Sequence, residues 1–451
     1  MATRPGDHVS HTASGAEIHR GSRGEVHDVH AHGMDIHHGP GGSRTIVRER
    51  PGHVMVVSNR YGHGYIQHPY AYHGVEFVHR TYYYNGVAYA RFYRPYVWGG
   101  VPLSVYVPAA YYAPAFYGWA YAPWVTPVPY AWGWAANPWY GYYGGWFTPY
   151  PVYASPSLWL TDYLVAQTLQ AAYAERAAEL ANAQAQFTAP MTPDVKQAIA
   201  DEVRRQLALE NAESATGVQT PPDPGSSGLA RMLSDNSTHV FVVSTGLDLQ
   251  SNIGECAVTE GDVLQLNPGT PPNAEAASLM VLASKGQDCR KGATVTVGVA
   301  DLQDMQNHMR ETLDQGLGDL QKKQGQGGIP AAPQAAAKAP TTTAYAAIAP
   351  PPDPNAAQEL SSQTKEADQA ERDALNESSV PGETAAPPDA GAGAPAAPPA
   401  PPKTLSIGMT IDEVVASYGQ PKDIVDLGAK KIYVYKDLKI TFTSGKVSNV
   451  Q

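Results

Sequence analysis

The sequence is poor in charge, in lysine and in cysteine, and each shortage excludes a class of structure or function. Charged residues make up 16% of the 451 residues, and none lies between Pro95 and Thr161. Residues 1–100 hold ten arginines against seven acids, and the first lysine is Lys196, so the charge distribution gives no basic stripe of the kind that nucleic-acid binding requires. We therefore expect no nucleic-acid partner.

These 451 residues also show no recognisable targeting or membrane-spanning segment. The first residues, Met1–Gly6, have no apolar segment of the kind found in a signal peptide. A spanning helix needs ~20 consecutive apolar residues, whereas proline or glycine interrupts the uncharged passage every few positions. We expect no transmembrane helix. Because the remaining composition is typical of a periplasmic, outer-membrane-associated or secreted protein, we also expect that the start of the chain is truncated or wrongly chosen.

Only two cysteines are present, Cys256 and Cys289, and both fall in one predicted domain. In an exported protein they would pair, and a loop of this length would add ~3–4 kcal/mol of stability. In a cytosolic protein they would be two buried thiols. We expect the disulfide.

Aromatic residues fill the uncharged passage. All eight tryptophans lie between Trp98 and Trp159, and prolines repeatedly precede aromatic residues, which fixes turns or extended dipeptides. The rings could coat the protein's own helices, form an exposed platform for carbohydrate, peptidoglycan or a membrane surface, or be disordered and prone to aggregation. For the exposed platform, the candidate binding surface consists of Trp119, Trp124, Trp132, Trp134, Trp139 and Trp146.

The composition changes along the chain predict a multidomain α+β protein with long disordered segments. The predicted divisions are a disordered His-rich tail (1–42), β-hairpins with an aromatic wrap (43–157), a helical hairpin (158–213), a linker (217–228), a small β-barrel or sandwich with a closing helix (229–323), a Pro/Ala-rich linker (324–403) and a small C-terminal α+β module (404–451).

Local patterns support the ordered parts of this scheme. Two alternating runs flank Asn85-Gly86, which is a strong hairpin signal. Apolar residues at helical spacing predict helices over 158–186 and from Pro193 through Glu210. The β domain contains five predicted strands and a closing helix, over 239–244, 255–259, 262–266, 278–283, 293–299 and 301–323.

Histidines are concentrated near the N-terminus and suggest a metal site. A cluster mixed with Asp28 and Asp35 could hold Zn²⁺, Ni²⁺ or Cu²⁺ loosely, and it consists of His27, His30, His32, His37 and His38. A solvated polar tail explains the same residues, and we expect no firmly bound cofactor. His73, Glu76 and His79 have a metal-like spacing, but on a strand Glu76 lies on the opposite face from both histidines.

The C-terminal segment carries the only family resemblance. It reads Gly408-Met409-Thr410, then Gly419-Gln420-Pro421, then alternating strands that end in Phe442 and Gly445-Lys446-Val447. This pattern resembles the SmpA/OmlA (BamE-like) domain. The resemblance implies a periplasmic or outer-membrane setting and a role in protein or lipid contact, although the lipidated N-terminal cysteine of that family is missing.

The motifs of common enzyme classes are absent, including nucleophile elbows, phosphate-binding loops and dinucleotide fingerprints. The sequence therefore favours a non-enzymatic bacterial cell-envelope protein with a binding or scaffolding role, tethering a BamE-like module. Its expected partners are an envelope protein, peptidoglycan or the outer-membrane surface. The alternative is a His-rich metal-binding or metal-buffering protein.

Overall fold

The protein is an α+β protein built on large antiparallel sheets. The structure, a computed structural model, divides into two compact units, Met1–Gly382 and Glu383–Gln451. It describes residues 8–21, 24–52, 54–59, 64–84, 86–180, 187, 189–235, 237–252, 254–271, 273–286, 288–379, 414, 423–426, 430–434, 439–443 and 446–450.

A ten-stranded antiparallel sheet forms the first part of the chain, and each strand pairs with the next in sequence order. Its strands are β1 (His8–His11), β2 (Glu17–Arg20), β3 (Val26–Ala31), β4 (Met34–His38), β5 (Arg44–Arg50), β6 (Val54–Asn59), β7 (Gly64–Tyr72), β8 (Val75–Tyr84), β9 (Val87–Trp98) and β10 (Val101–Val107).

The prediction of a disordered tail over 1–42 was wrong for the part that the structure describes, because β1 to β4 lie there. Val29, Ile36 and Ile46 are buried on one face of these strands, while Asp28, His30, Asp35 and His37 lie on the other face. The prediction failed because a polar alternate face hides the period of two when average hydrophobicity is low.

Two of the hairpins in this sheet have two-residue turns. His32-Gly33 joins β3 to β4 and His73-Gly74 joins β7 to β8, with positive φ at all four residues. Positive φ at both central residues is what the favoured hairpin turn requires, and histidine tolerates this region better than most residues do. His32, one of the predicted metal ligands, and His73 therefore serve as turn residues.

A long helix covers one face of the sheet. The helix α10 (Ala356–Ser379) buries Ala367, Ala370 and Ala374 against the ten-stranded sheet. It follows a two-stranded pair, β11 (Ala110–Tyr111) with β18 (Thr341–Thr342), and the short helix α9 (Ala344–Ala347). The elements β18, α9 and α10 lie within the Pro/Ala-rich stretch that the sequence predicts as a linker. Alanine is a strong helix former, and here it also permits close packing; residues 380–403 lie outside the described residues.

The aromatic passage folds onto a group of helices. Rings from residues 111–159 pack with the apolar sides of α3, α5 and α8 in one large core. The helices are α1 (Pro114–Tyr121), α2 (Pro138–Tyr143), α3 (Pro156–Glu175), α4 (Ala177–Leu180), α5 (Pro193–Gly217), α6 (Pro224–Ser227), α7 (Leu229–Ser234) and α8 (Val299–Lys323).

A six-stranded antiparallel sheet contains Cys256 on one strand, and Cys289 lies in a connecting loop. The sheet has one strand more than predicted, in the order β12-β15-β16-β17-β13-β14. The additional strand is β13, whose residue Leu249 is buried. The strands are β12 (Val240–Val242), β13 (Leu247–Ser251), β14 (Gly254–Val258), β15 (Val263–Leu266), β16 (Ala276–Ala283) and β17 (Thr294–Gly298). A second core lies between this sheet and the first turns of α8.

The second unit contains a four-stranded antiparallel sheet with consecutive strand order. Ile440, Phe442 and Val447 are buried there. The predicted helix that follows Thr410 lies outside the described residues except for Val414. The strands are β19 (Asp423–Asp426), β20 (Lys430–Val434), β21 (Lys439–Thr443) and β22 (Lys446–Val450).

Candidate ligand-binding site

A cleft of about 740 Å³ lies between the ten-stranded sheet and the helices α3 and α8. Its floor is the sheet face opposite α10, which we call the cleft face. Its volume is in the range of small-molecule sites. The floor includes Thr45, Val57, Tyr65, Arg80, Tyr82 and Tyr89, and the walls include Gln167, Gln170 and Glu175 of α3 and Asp304, His308 and Glu311 of α8.

Arg80 is held at the floor by aromatic rings. Its guanidinium carbon lies 4.3 Å from the ring centre of Tyr65 and 4.1 Å from that of Tyr93, and its Nε donates to Oε1 of Gln67 at 2.8 Å. The period of two places these side chains together, because Gln67 pairs with Arg80 and Tyr65 with Tyr82 across β7 and β8. Stacking and the Nε bond fix the plane of the guanidinium.

A chain of tyrosines connects the floor to α8. The ring of Tyr82 stacks on that of Tyr89 with centroids 5.5 Å apart, and the hydroxyls of Tyr82 and Tyr93 are 3.0 Å apart. Tyr93 in turn donates a short hydrogen bond to Glu311. These contacts set the positions of the rings and of one wall carboxylate.

One side of α8 supplies the acidic wall. Asp304, His308 and Glu311 recur every three or four residues and so lie on one side of the helix. Leu302, Met309 and Leu313 lie on the opposite side and are buried.

The pKa values on this wall are shifted mainly by enclosure. Enclosure raises the pKa of the Asp304 carboxyl, and nearby Arg80 opposes the rise. Burial likewise raises the pKa of Glu311 against the effects of Arg91 and Tyr93. Burial lowers the pKa of His308 to about 4, so this imidazole is neutral at physiological pH.

The tautomer of His308 follows from its partner. The Thr168 hydroxyl donates to the Leu164 carbonyl oxygen at 2.9 Å. It therefore accepts from Nε2 of His308, also at 2.9 Å, which places the imidazole proton on Nε2. The histidine thus ties α8 to α3 across the end of the cleft.

Glu175 ends α3 at the opposite wall. It accepts a hydrogen bond from Nδ2 of Asn59 at 2.8 Å. Burial raises its pKa, and the neighbouring Glu260 raises it further. Arg176, directly after α3, binds Glu260 beside the six-stranded sheet at 2.7 Å, which joins α3 to that sheet at this end of the cleft.

The predicted metal ligands are distributed over both faces of the sheet and a turn. His30 pairs with Asp35 at 2.6 Å and His37 with Asp28 at 2.7 Å on the cleft face. His38 contacts Glu371 of α10 at 2.8 Å, and His27 is buried near Glu25. Among the residues that the structure describes, no three His, Cys, Asp or Glu side chains converge to hold a metal ion.

The six predicted surface tryptophans lie in or against the aromatic core. Trp124, Trp139 and Trp146 are buried, the last with 1% exposed, and the other three, Trp119, Trp132 and Trp134, are partly buried against the same cluster. Trp132 stacks between Trp134 at 4.2 Å and Trp159 at 4.5 Å. The exposed platform predicted from these rings is therefore a packed core, because rings of this size bury most area against helices.

Cys256 and Cys289 form the disulfide that the sequence predicts. His79 is buried, whereas His73 is an exposed turn residue, so the motif of His73, Glu76 and His79 does not come together.

Sequence reasoning missed the cleft residues, although two signals for them exist. The alternation in β8 places Arg80 and Tyr82 on one face, and the polar residues of α8 recur at helical spacing opposite its leucines. Neither signal shows that the two faces meet.

No protein-family model, curated protein or solved structure matches this chain. The resemblance of residues 404–451 to the SmpA/OmlA domain therefore depends on its motif residues. No helix in the described part of the chain is long and apolar enough to cross a membrane.

Proposed function

We propose that this protein is a non-enzymatic binding protein of the bacterial cell envelope that takes a small polar ligand in the cleft. The observation that carries the proposal is the cleft itself, in which a stacked arginine and tyrosines face an acidic helix wall. Polar groups that converge in one large pocket are the usual mark of a ligand site.

The fixed partners of the ionisable wall groups favour binding over catalysis. His308 is held by Thr168, and Glu311 is held by Tyr93 and Arg91. A general acid or base must exchange its proton with a substrate, whereas these groups are engaged within the protein. Their arrangement suits a preorganised binding site.

The proposed compartment is the periplasm, the outer membrane or the exterior, and the pairing of Cys256 with Cys289 supports it because disulfides persist in oxidising compartments. In the finer architecture that we propose, the two sheets and the helical hairpin form the binding body, which tethers a BamE-like module contacting an envelope protein, peptidoglycan or the outer membrane. Free thiols on Cys256 and Cys289 in protein taken rapidly from cells, assayed by maleimide labelling, would contradict this location.

The ligand site can be tested by blocking the cleft. Ala171 is exposed and lines the cleft on α3, so Ala171→Trp should fill it. Thermal shift and calorimetry with amino acids, short peptides, sugars, amino sugars and nucleotides should identify ligands that bind the wild type but not this variant. Ala115→Trp, at an exposed position of α1, is the matched control. Binding that survives Ala171→Trp, or no binding by any class, would reject the cleft as the site.

A further inference from the structure

Arg80 has hydrogen-bonding capacity that the protein does not use. Its Nε is bound by Gln67, and its plane is fixed between Tyr65 and Tyr93. Among the described residues, no acceptor or carboxylate binds its two terminal nitrogens. A planar guanidinium with both terminal nitrogens available matches a carboxylate in the two-bond geometry.

An acid that forms no ion pair with the described residues lies on the opposing wall. Asp304 and Arg80 interact electrostatically, and Asn307 hydrogen-bonds to the Asp304 carboxylate, but no cation of the described residues lies within ion-pair distance of it. Glu311 differs, because Arg91 and Tyr93 already engage it. Asp304 is also exposed to the cleft, so a ligand can reach it.

Opposite charges thus lie on two walls of one cleft without a direct ion pair between them. Separated charges of this kind are best satisfied by a ligand that has an anionic and a cationic end. The walls also carry the amides of Gln167 and Gln170, which can hydrogen-bond to a peptide group, and the floor carries the stacked rings of Tyr82 and Tyr89.

We propose that the cleft binds a short zwitterionic peptide, with the ligand carboxylate on Arg80 and the ligand ammonium at Asp304. The volume of about 740 Å³ suits a short peptide. This inference depends on the proposed function, since it names the ligand class for the same cleft.

Calorimetry on the full chain with four probes tests the assignment of each end. The probes are Ala-Ala, N-acetyl-Ala-Ala, Ala-Ala-amide and N-acetylglucosamine. Free Ala-Ala should bind, and blocking either terminus should weaken binding by roughly tenfold or more, as expected when a charged hydrogen-bonding partner is removed. N-acetylglucosamine, which lacks both charges, should not compete.

Two variants assign the ends. Arg80→Gln should weaken the binding of Ala-Ala and N-acetyl-Ala-Ala but leave the binding of Ala-Ala-amide unchanged. Asp304→Asn should weaken the binding of Ala-Ala and Ala-Ala-amide but leave the binding of N-acetyl-Ala-Ala unchanged. Controls are Arg48→Gln, whose partner Glu366 lies on the other face of the sheet, and Asp373→Asn on the exposed side of α10. Circular dichroism and melting temperature verify that each variant folds.

The outcomes separate the inference from the proposed function. If Ala-Ala does not bind, or if blocking its termini changes nothing, the zwitterion assignment is overturned. If another ligand then binds in a manner sensitive to Ala171→Trp, the binding site stands with a different ligand class. If no ligand of any class is sensitive to that variant, both proposals fail.

Discussion

At the scale of single residues, buried charge is concentrated where α5 and α8 meet. Arg310 is 1% exposed and binds Glu213 at 2.7 Å, while Glu210 lies 3.8 Å away. One guanidinium group thus lies beside two buried carboxyl groups. Burial raises the pKa of Glu210 well above its usual range, and the nearby Asp314 raises it further. Glu210 and Asp314 therefore retain a proton between them.

The raised pKa of Glu210 predicts a stability that declines with pH. Its folded pKa exceeds its unfolded pKa, so its contribution is full below the unfolded value, near 4.5, and is lost as pH rises through the folded value. Glu210→Gln should remove this decline and keep or increase stability at neutral pH by about 1 kcal/mol. Urea unfolding at pH 5 and pH 8 measures both effects.

Glu213→Gln is the matched comparison for Glu210→Gln. Removing the ion-pair partner of Arg310 leaves a buried charge uncompensated and should cost about 3–5 kcal/mol. Equal losses in the two variants would show that the two acids share the arginine equally, which would contradict the assignment of the proton to Glu210 and Asp314.

At the scale of elements, α10 holds the N-terminal strands together. Ion pairs run along its length from Arg50–Glu359 to Arg44–Glu371, and Nε2 of Gln363 donates to the carbonyl oxygens of Ile46 and Val56. Strands with a polar alternate face cannot bury enough area alone. The helix supplies the missing apolar cover, and the alanines at the contact allow a close approach.

Enlarging one of these alanines should loosen the helix. Ala370 is 1% exposed, so Ala370→Leu should cost about 1–3 kcal/mol through overpacking and should increase proteolytic cleavage near 370. Ser362→Leu adds a leucine at an exposed position of the same helix and should change stability little. Urea unfolding and limited proteolysis measure the difference, and similar effects in both variants would argue against close packing at Ala370.

At the scale of the whole molecule, the cleft and the first two cores belong to the first unit. The cleft residues and those two cores all lie before residue 382. We therefore expect a chain ending at Gly382 to keep the melting temperature of this unit and the ligand affinity of the cleft. Calorimetry on both lengths tests this independence. A loss of binding in the shorter chain would mean that residues 383–451 contribute to the site.

The sequence predicted several local features well. The alternation around Asn85-Gly86 corresponds to the pairing of β8 with β9, and the apolar spacing of Leu302 to Leu320 corresponds to the buried side of α8. Such features depend on neighbours within a few residues, which is why periodicity reveals them. The strands β1 to β4 escaped detection because their histidine turns and polar face lower the hydrophobic signal.

The sequence alone determined the hairpin of β8 and β9 and the buried side of α8, since backbone geometry and the spacing of side chains are local properties. The tertiary structure decided that the tryptophans pack inward, that α10 covers one sheet face and that Arg80 faces Asp304. The last two arrangements bring together residues more than 200 positions apart. No local period encodes which two faces meet, because that choice depends on burying both faces at once.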